Sequence, residues 1–439
     1  MLRIGACRID ITPPVGTPLD GYGGRLDVSL GVHDPLYARC LYLDDGRTQL
    51  ALVVGDLIGV GRRLVERSRE LVAERPGIPP GNVLVAATHT HAGPAGIRGT
   101  GEPALVEIVA RQIAGAVRVA HRNAVEGRLK YGHTELSSIA QNRRDPDWPI
   151  DHRLDVVAAD TADGKNIATV ARYACHPTTM ERENLDISAE WPGECCRVIE
   201  QVIGGDTLGI YLNGACGNIN PAWMWQRFDE VHRVGSIVGA KAAALSQELR
   251  PLGINHQAHN IRWDELTTKP VTAGRLAGDA PLKVARQTFD APYRTGPADE
   301  EIARRIADLE REQSSSDDAT RRREVTARLT RARSERLALA RIQGRGPVRP
   351  EEVQAMRLGS DLFLIALPGE VFVETQEEIR ARSGIENLLV VAYANDYPGY
   401  FCRADAYEQG GYEAGVTPFA PEADGMLVAA ALAALQEVT

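Results

Sequence analysis

Short apolar runs alternate along the chain with stretches of helical periodicity. Leu50–Val54 precedes a helix-like stretch from Arg62 to Glu74. Val83–Ala87 precedes one from Ala104 to Ala120, where Leu105, Ile108, Val109 and Ile113 recur on one helix face. The alternation continues with Ile167–Cys175 before Pro192–Ile203, Leu208–Leu212 before Val231–Leu249, and Leu362–Leu367 before Val371–Ser383. Leu388–Ala392 then leads through a tyrosine-rich segment to a closing helix over Gly425–Glu437. Strands alternating with longer helices predict βαβ units. The expected fold is α/β, a mostly parallel or mixed sheet flanked by helices.

One stretch breaks this rhythm. Between Asp299 and Ile342 there are 11 Arg and 10 Asp or Glu, with no aromatic residue. Ile302, Ile306 and Leu309 form one helical stripe, Ser314–Asp318 interrupts it, and Val325, Leu329 and Ala332 begin another. This predicts a charged helical hairpin, 299–343, inserted in a single catalytic domain spanning 1–439. Its charges nearly balance, which favours a solvated helix pair over a binding arm. Region 264–298 lacks clear periodicity and reads as a lid or an inter-subunit arm.

Composition narrows the function. The 439 residues carry 50 basic and 59 acidic groups, a net charge of −9, which argues against nucleic acid as a partner. Seven scattered cysteines without a CxxC pair read as reduced thiols. The start, Met1-Leu2-Arg3-Ile4-Gly5-Ala6-Cys7, lacks the apolar core of a signal peptide, and no apolar run is long enough to span a bilayer. A cytoplasmic protein is expected, with a small-molecule substrate, no membrane insertion, and association into a homo-oligomer left open. Aromatic residues are scarce at 5%, yet five of the twelve Tyr (393, 397, 400, 407 and 412) fall within 20 residues.

Chemistry concentrates where apolar strands end. Val83–Ala87 runs into Thr88-His89-Thr90-His91-Ala92-Gly93-Pro94, and Thr169–Cys175 into His176-Pro177-Thr178. Leu208–Leu212 runs into a loop ending Gly217-Asn218-Ile219-Asn220-Pro221. Leu362–Leu367 is followed by Pro368-Gly369-Glu370, and Leu388–Ala392 by Tyr393-Ala394-Asn395-Asp396-Tyr397. In parallel α/β sheets such loops converge on one edge, where ligands bind. His89 and His91, two apart on an extended segment, can face one pocket. His176 and Glu370 would complete two imidazoles and a carboxylate, a catalytic metal set. For any one histidine alone, a hydrogen-bonded structural role is the simpler reading. The three strand ends taken together favour a metal.

These motifs resemble the neutral/alkaline, nonlysosomal ceramidase family in its N-terminal catalytic domain. The likeness runs from Gly5-Ala6-Cys7-Arg8-Ile9-Asp10-Ile11-Thr12-Pro13 and Gly21-Tyr22-Gly23 through the Thr88–Pro94 segment, Asn142-Arg143 and His176-Pro177-Thr178. It continues through Ser188-Ala189-Glu190-Trp191-Pro192-Gly193 and Pro368-Gly369-Glu370 to Tyr407-Glu408-Gln409 and Tyr412-Glu413-Ala414. The resemblance implies a zinc-dependent hydrolysis of an amide. It also implies His89, His176, Glu370 and Tyr407 as ligands of Zn2+, with Tyr412 the alternative to Tyr407. His91 is implied as proton carrier, Arg143 as the group orienting the substrate amide, and Tyr407 near the metal as an oxyanion donor.

Two departures redirect that expectation. The family's proposed serine nucleophile falls at Asn220, whose delocalised amide cannot attack, so water activated by the metal must do so, with Asn220 at most hydrogen-bonding the substrate. The chain also ends soon after the tyrosine segment, without the C-terminal immunoglobulin-like domain of lipid-hydrolysing members. The expected activity is cleavage of a C–N bond in a small soluble amide. The alternatives are a zinc-dependent ester or lactone hydrolase and a catalytically inactive metal-binding homologue.

Overall fold

Alternation within the buried strands sorts side chains onto two faces, each of which needs its own apolar cover. In Tyr37–Asp44, Ala38, Cys40 and Tyr42 enter one apolar cluster, while Leu41 and Leu43 enter another. In Gln49–Gly55, Ala51 and Val53 oppose Leu50, Leu52 and Val54 in the same way. The computed structural model describes residues 2–23, 25, 27–98, 102–249, 275–276, 280–315 and 318–439.

The large sheet runs Leu208–Asn213, Asn166–Tyr173, Arg153–Thr161, Val125–Glu135, Leu2–Asp10, Tyr37–Asp44, Gln49–Gly55, Val83–Ala87. Arg275–Leu276 pairs with Val125–Glu135 beside that order. The sheet is mixed: its two outermost pairs are parallel and the pairs between them antiparallel. Helices α1 (Arg62–Glu74), α2 (Pro103–Arg122), α3 (Glu190–Ile203) and α4 (Phe228–Glu248) pack their apolar stripes on one face.

The other face packs on a second sheet, ordered Lys283–Pro292, Val348–Arg357, Phe363–Ala366, Leu388–Val391. Lys283–Pro292 lies in the segment expected as a lid or arm and is instead an edge strand paired over ten residues with Val348–Arg357. Residues 264–274 and 277–279 of that segment lie outside the described residues. The expected hairpin is α5 (Asp299–Ser315) and α6 (Ala319–Ile342), joined by a small cluster of Leu309, Val325, Leu329 and Ala332. Helices α7 (Val373–Ser383), α8 (Ala404–Gln409), α9 (Tyr412–Val416) and α10 (Glu422–Val438) follow, and α7 and α10 cover the outer face of the second sheet. All seven cysteines are free thiols, and no helix among the described residues is long and apolar enough to cross a membrane.

The two ends of the large sheet are tied together by the chain leaving Leu388–Val391. Ala392 N–H donates to the Asn213 carbonyl (3.0 Å) and Ala87 N–H to the Tyr393 carbonyl (3.1 Å). Asn213 Nδ2 donates to the Thr88 carbonyl (3.2 Å), and Ala86 pairs with Ala394. Loops leaving opposite edges of the sheet therefore meet.

Candidate active site

His89 follows the edge strand Val83–Ala87, and His176 follows Asn166–Tyr173, the neighbour of the other edge strand. After Val83–Ala87 the chain turns sharply: His89 has φ 72°, a left-handed conformation costing a non-glycine residue about 1–3 kcal/mol. Its N–H donates to the Leu57 carbonyl (2.9 Å) and its Nδ1 to the Ile58 carbonyl (2.6 Å). Tyr393, also left-handed at φ 55°, stacks on the His89 ring with centroids 4.1 Å apart. His176 is held by its N–H to the Ile219 carbonyl (3.0 Å) and its Nδ1 to the Cys216 carbonyl (2.6 Å). Glu370 sits on a short strand, Glu370–Val371, beside Tyr400–Phe401. The approach requires glycine: a Cβ on Gly369 (φ 67°) would lie 2.3 Å from the Gly399 carbonyl oxygen.

The three side chains converge. Glu370 Oε2 lies 3.6 Å from His89 Nε2 and 3.4 Å from His176 Nε2. Because each Nδ1 donates to a carbonyl, each neutral ring carries a lone pair on Nε2. Lone pairs and a carboxylate oxygen thus face one another without a hydrogen between them, and Glu370 Oε2 is buried without a hydrogen-bond partner. Burial, and then Arg143, pushes His176 down to about 4. A tetrahedral metal with bonds of about 2.0–2.1 Å sets its ligand atoms about 3.3 Å apart. The donors fit a divalent cation in chemistry and in spacing.

His91 faces the same space, its Nε2 3.4 Å from His89 Nε2, and the ligand atoms of His89, His91 and His176 all lie within 4.8 Å of one another. Unlike the other two rings, its Nδ1 is buried with no partner, so no carbonyl fixes its tautomer. Burial and then His89 push its pKa well below the ordinary histidine range. Its main chain is clamped by Glu190, whose Oε2 accepts from His91 N–H (2.6 Å) and the Thr90 hydroxyl (3.1 Å). Glu190 is buried and left-handed at φ 52°, and burial pushes its carboxyl up to about 8. A Cβ on Gly21 would lie 2.6 Å from His91, so only glycine lets that loop pass.

Arg143 organises the opposite wall. It donates to Asn220 Oδ1 (3.3 Å), the Gly217 carbonyl (2.7 Å) and the Tyr400 hydroxyl (3.1 Å), and is braced by Glu413 (2.7 Å). The Tyr397 hydroxyl donates to Glu370 Oε1.

The structure brings His89, His91, His176 and Glu370 together, with Arg143 and Asn220 beside them. It does not bring Tyr407. That residue lies on α8, where its hydroxyl donates to the Phe419 carbonyl (2.9 Å) and its ring packs against Phe372, Tyr400, Cys402 and Ala406. Helix α8 turns Tyr407 into this small cluster. Tyr412 is 60% exposed, edge-on to Tyr400 (6.0 Å) and under Arg143 (5.8 Å), at the rim. Sequence reasoning missed Tyr397, Tyr400, Glu190 and the bracing Glu413. The signal was the Pro398-Gly399 turn between two tyrosines, which reverses the chain beside Glu370.

Comparison with known proteins places this architecture. The sequence model of the neutral/alkaline non-lysosomal ceramidase N-terminal domain matches residues 2–211. The neutral ceramidases of Pseudomonas aeruginosa and Mycobacterium tuberculosis are each 24% identical over 95% of this chain, covering 69% and 74% of their own lengths. That of Drosophila melanogaster is 24% identical over 50% of this chain and 36% of its own. The crystal structure of the Pseudomonas aeruginosa neutral ceramidase superposes on all of this chain and 75% of its own, with TM-score 0.73 and 20% identity. A ceramidase complexed with C2 gives 0.71 over all of this chain and 76% of its own, at 18% identity. The structural likeness establishes a common fold.

Proposed function

From the match of residues 2–211 to the neutral/alkaline, non-lysosomal ceramidase N-terminal domain and the likeness to neutral ceramidases, we propose that the chain is a member of that family and a metal-dependent hydrolase cleaving the C–N bond of a small soluble amide. One observation carries the reading: the Nε2 atoms of His89 and His176 converge on the unpartnered Oε2 of Glu370. These three residues would hold the metal, for which the family resemblance suggests zinc. When bound there, such an ion supplies Lewis acidity, polarising a carbonyl oxygen and acidifying water near neutral pH.

The protein's own groups do the rest. Arg143 and Tyr400 offer donors to the oxygen that gains negative charge as the carbonyl is attacked. Asn220 Oδ1 is committed to Arg143, so Asn220 orients the guanidinium and can give only its amide hydrogens to the substrate. His91, with Nδ1 unfixed and Nε2 facing the pocket, takes a proton from the attacking water and delivers it to the leaving nitrogen. An amine leaves far less readily than an alcohol, so this delivery decides between amide and ester cleavage. The reading treats residues 1–439 as one catalytic unit carrying the α5–α6 hairpin.

Matched amide, ester and lactone panels test it. The metal-loaded protein should hydrolyse amides, and chelation should remove that activity until metal is restored. Turnover of esters or lactones without amides would overturn the amide assignment. Amide turnover that survives chelation would overturn the metal's role. Intact metal with no turnover would mark an inactive homologue.

A further inference from the structure

Beside His91, away from Glu370, lies a second group of buried polar atoms that the proposed reaction does not use. Arg25 Nη2, Thr178 Oγ1, Glu190 Oε1 and Trp223 Nε1 are all buried without hydrogen-bond partners. Thr178 and Glu190 are 6% and 1% exposed. Buried donors and acceptors are nearly always satisfied, and each one left unmade costs about 1–3 kcal/mol. Three of them, on Arg25, Thr178 and Glu190, belong to residues linked through His91, Tyr22 and Gln226, and together they point to a ligand.

A set of contacts around Tyr22 links Arg25, His91 and Thr178. The Tyr22 ring lies 4.9 Å from the His91 ring and 5.1 Å from the Arg25 guanidinium carbon. The Tyr22 hydroxyl and Gln226 Nε2 both donate to the Met180 carbonyl, and Gln226 also donates to the Thr178 carbonyl (3.2 Å). Arg25 is anchored by Nε to the Arg182 carbonyl (3.0 Å) and by Nη1 to the carbonyls of His91 (2.9 Å) and Asp20 (3.0 Å). Its Nη2 is left over. No ion pair joins it to Glu190, whose Oε2 is already spent on His91 and Thr90 and whose buried carboxyl, raised to about 8, keeps a proton at neutral pH that Oε1 can donate.

We propose that this pocket is a subsite for an anionic oxygen group on the amine side of the substrate, a carboxylate or phosphate received by Arg25 with the Thr178 hydroxyl as a neutral donor. The sidedness rests on the hydrolase reading above: His91 delivers its proton to the leaving nitrogen, so the amine portion lies next to His91. Arg25 is charged and keeps the N–H groups of Nη2 free to donate to such oxygens. The substrate class is then an N-acylated amino acid or an N-acylated amine bearing phosphate.

The test compares three N-acyl amines that differ only in a carboxylate, phosphate or hydroxyl on the amine side. The wild type should favour an anionic member over the hydroxyl member about tenfold or more in kcat/KM. The favoured anion identifies the source. Arg25→Leu should bring that ratio to near one, Arg25→Lys should keep part of it, and Thr178→Val should lower it a few-fold. Binding of the three free amines, which undergo no reaction, is measured in parallel by calorimetry. A wild-type ratio near one, or an Arg25→Leu protein that slows all three substrates alike, would overturn the subsite. Amines ranked by charge through Arg25 with no amide turned over would support the subsite while rejecting the hydrolase reading.

Discussion

Tyr400 and Tyr407 follow the same strand into the same region, yet only Tyr400 turns its hydroxyl toward Arg143. If Tyr400 is an oxyanion donor, Tyr400→Phe should lower kcat by about 10²–10³ while metal content stays unchanged. Tyr407→Phe should leave kcat within about twofold. It should cost about 1 kcal/mol of stability, the net worth of the bond to Phe419, read from urea midpoints. Equal losses of kcat in both variants would contradict the assignment. His89, His176 and Glu370 were legible in the sequence because strands end where they begin and turn residues flank them. Tyr400 was not, because its direction is set by the left-handed Gly399 (φ 118°) and by pairing with Glu370, neither of which leaves a periodic trace.

At the scale of elements, the alternating pattern located the strands but left their directions open. The parallel pairs occur where a helix intervenes: α1 between Gln49–Gly55 and Val83–Ala87, and α3 between Asn166–Tyr173 and Leu208–Asn213. Where the connection is a short turn, as from Asp44 to Gln49, the strands are necessarily antiparallel. The joint between α7 and α10 carries its own prediction. Asp424, buried in the first turn of α10, accepts from the Thr375 hydroxyl on α7 (2.6 Å), and burial raises its carboxyl to about 6. The folded protein therefore binds this proton more tightly than the unfolded chain does. The associated stability is complete below about pH 4 and is lost as pH rises through about 6, an effect of about 3 kcal/mol. Asp424→Asn should flatten that part of the stability–pH curve, measured as urea midpoints between pH 4 and 7. An unchanged slope would show that Asp424 titrates normally.

Across the whole molecule, function follows from how the two edges of one sheet are joined. The Ala392–Asn395 segment bridges Leu208–Asn213 and Val83–Ala87, and this bridge, which no local pattern announces, brings His89 within 4.7 Å of His176, ring to ring. The tyrosine cluster that stood out in an aromatic-poor chain is part of the same device: Tyr393 seats His89, Tyr397 holds Glu370, and Tyr400 meets Arg143. The central claim is that this junction is a metal site. It is tested most directly by elemental mass spectrometry of the purified wild type, His89→Ala and Glu370→Gln proteins after removal of loosely bound ions. The account predicts about one equivalent of a divalent metal in the wild type and a small fraction of that in either variant, with all three folded by circular dichroism. A full equivalent retained by His89→Ala would contradict it.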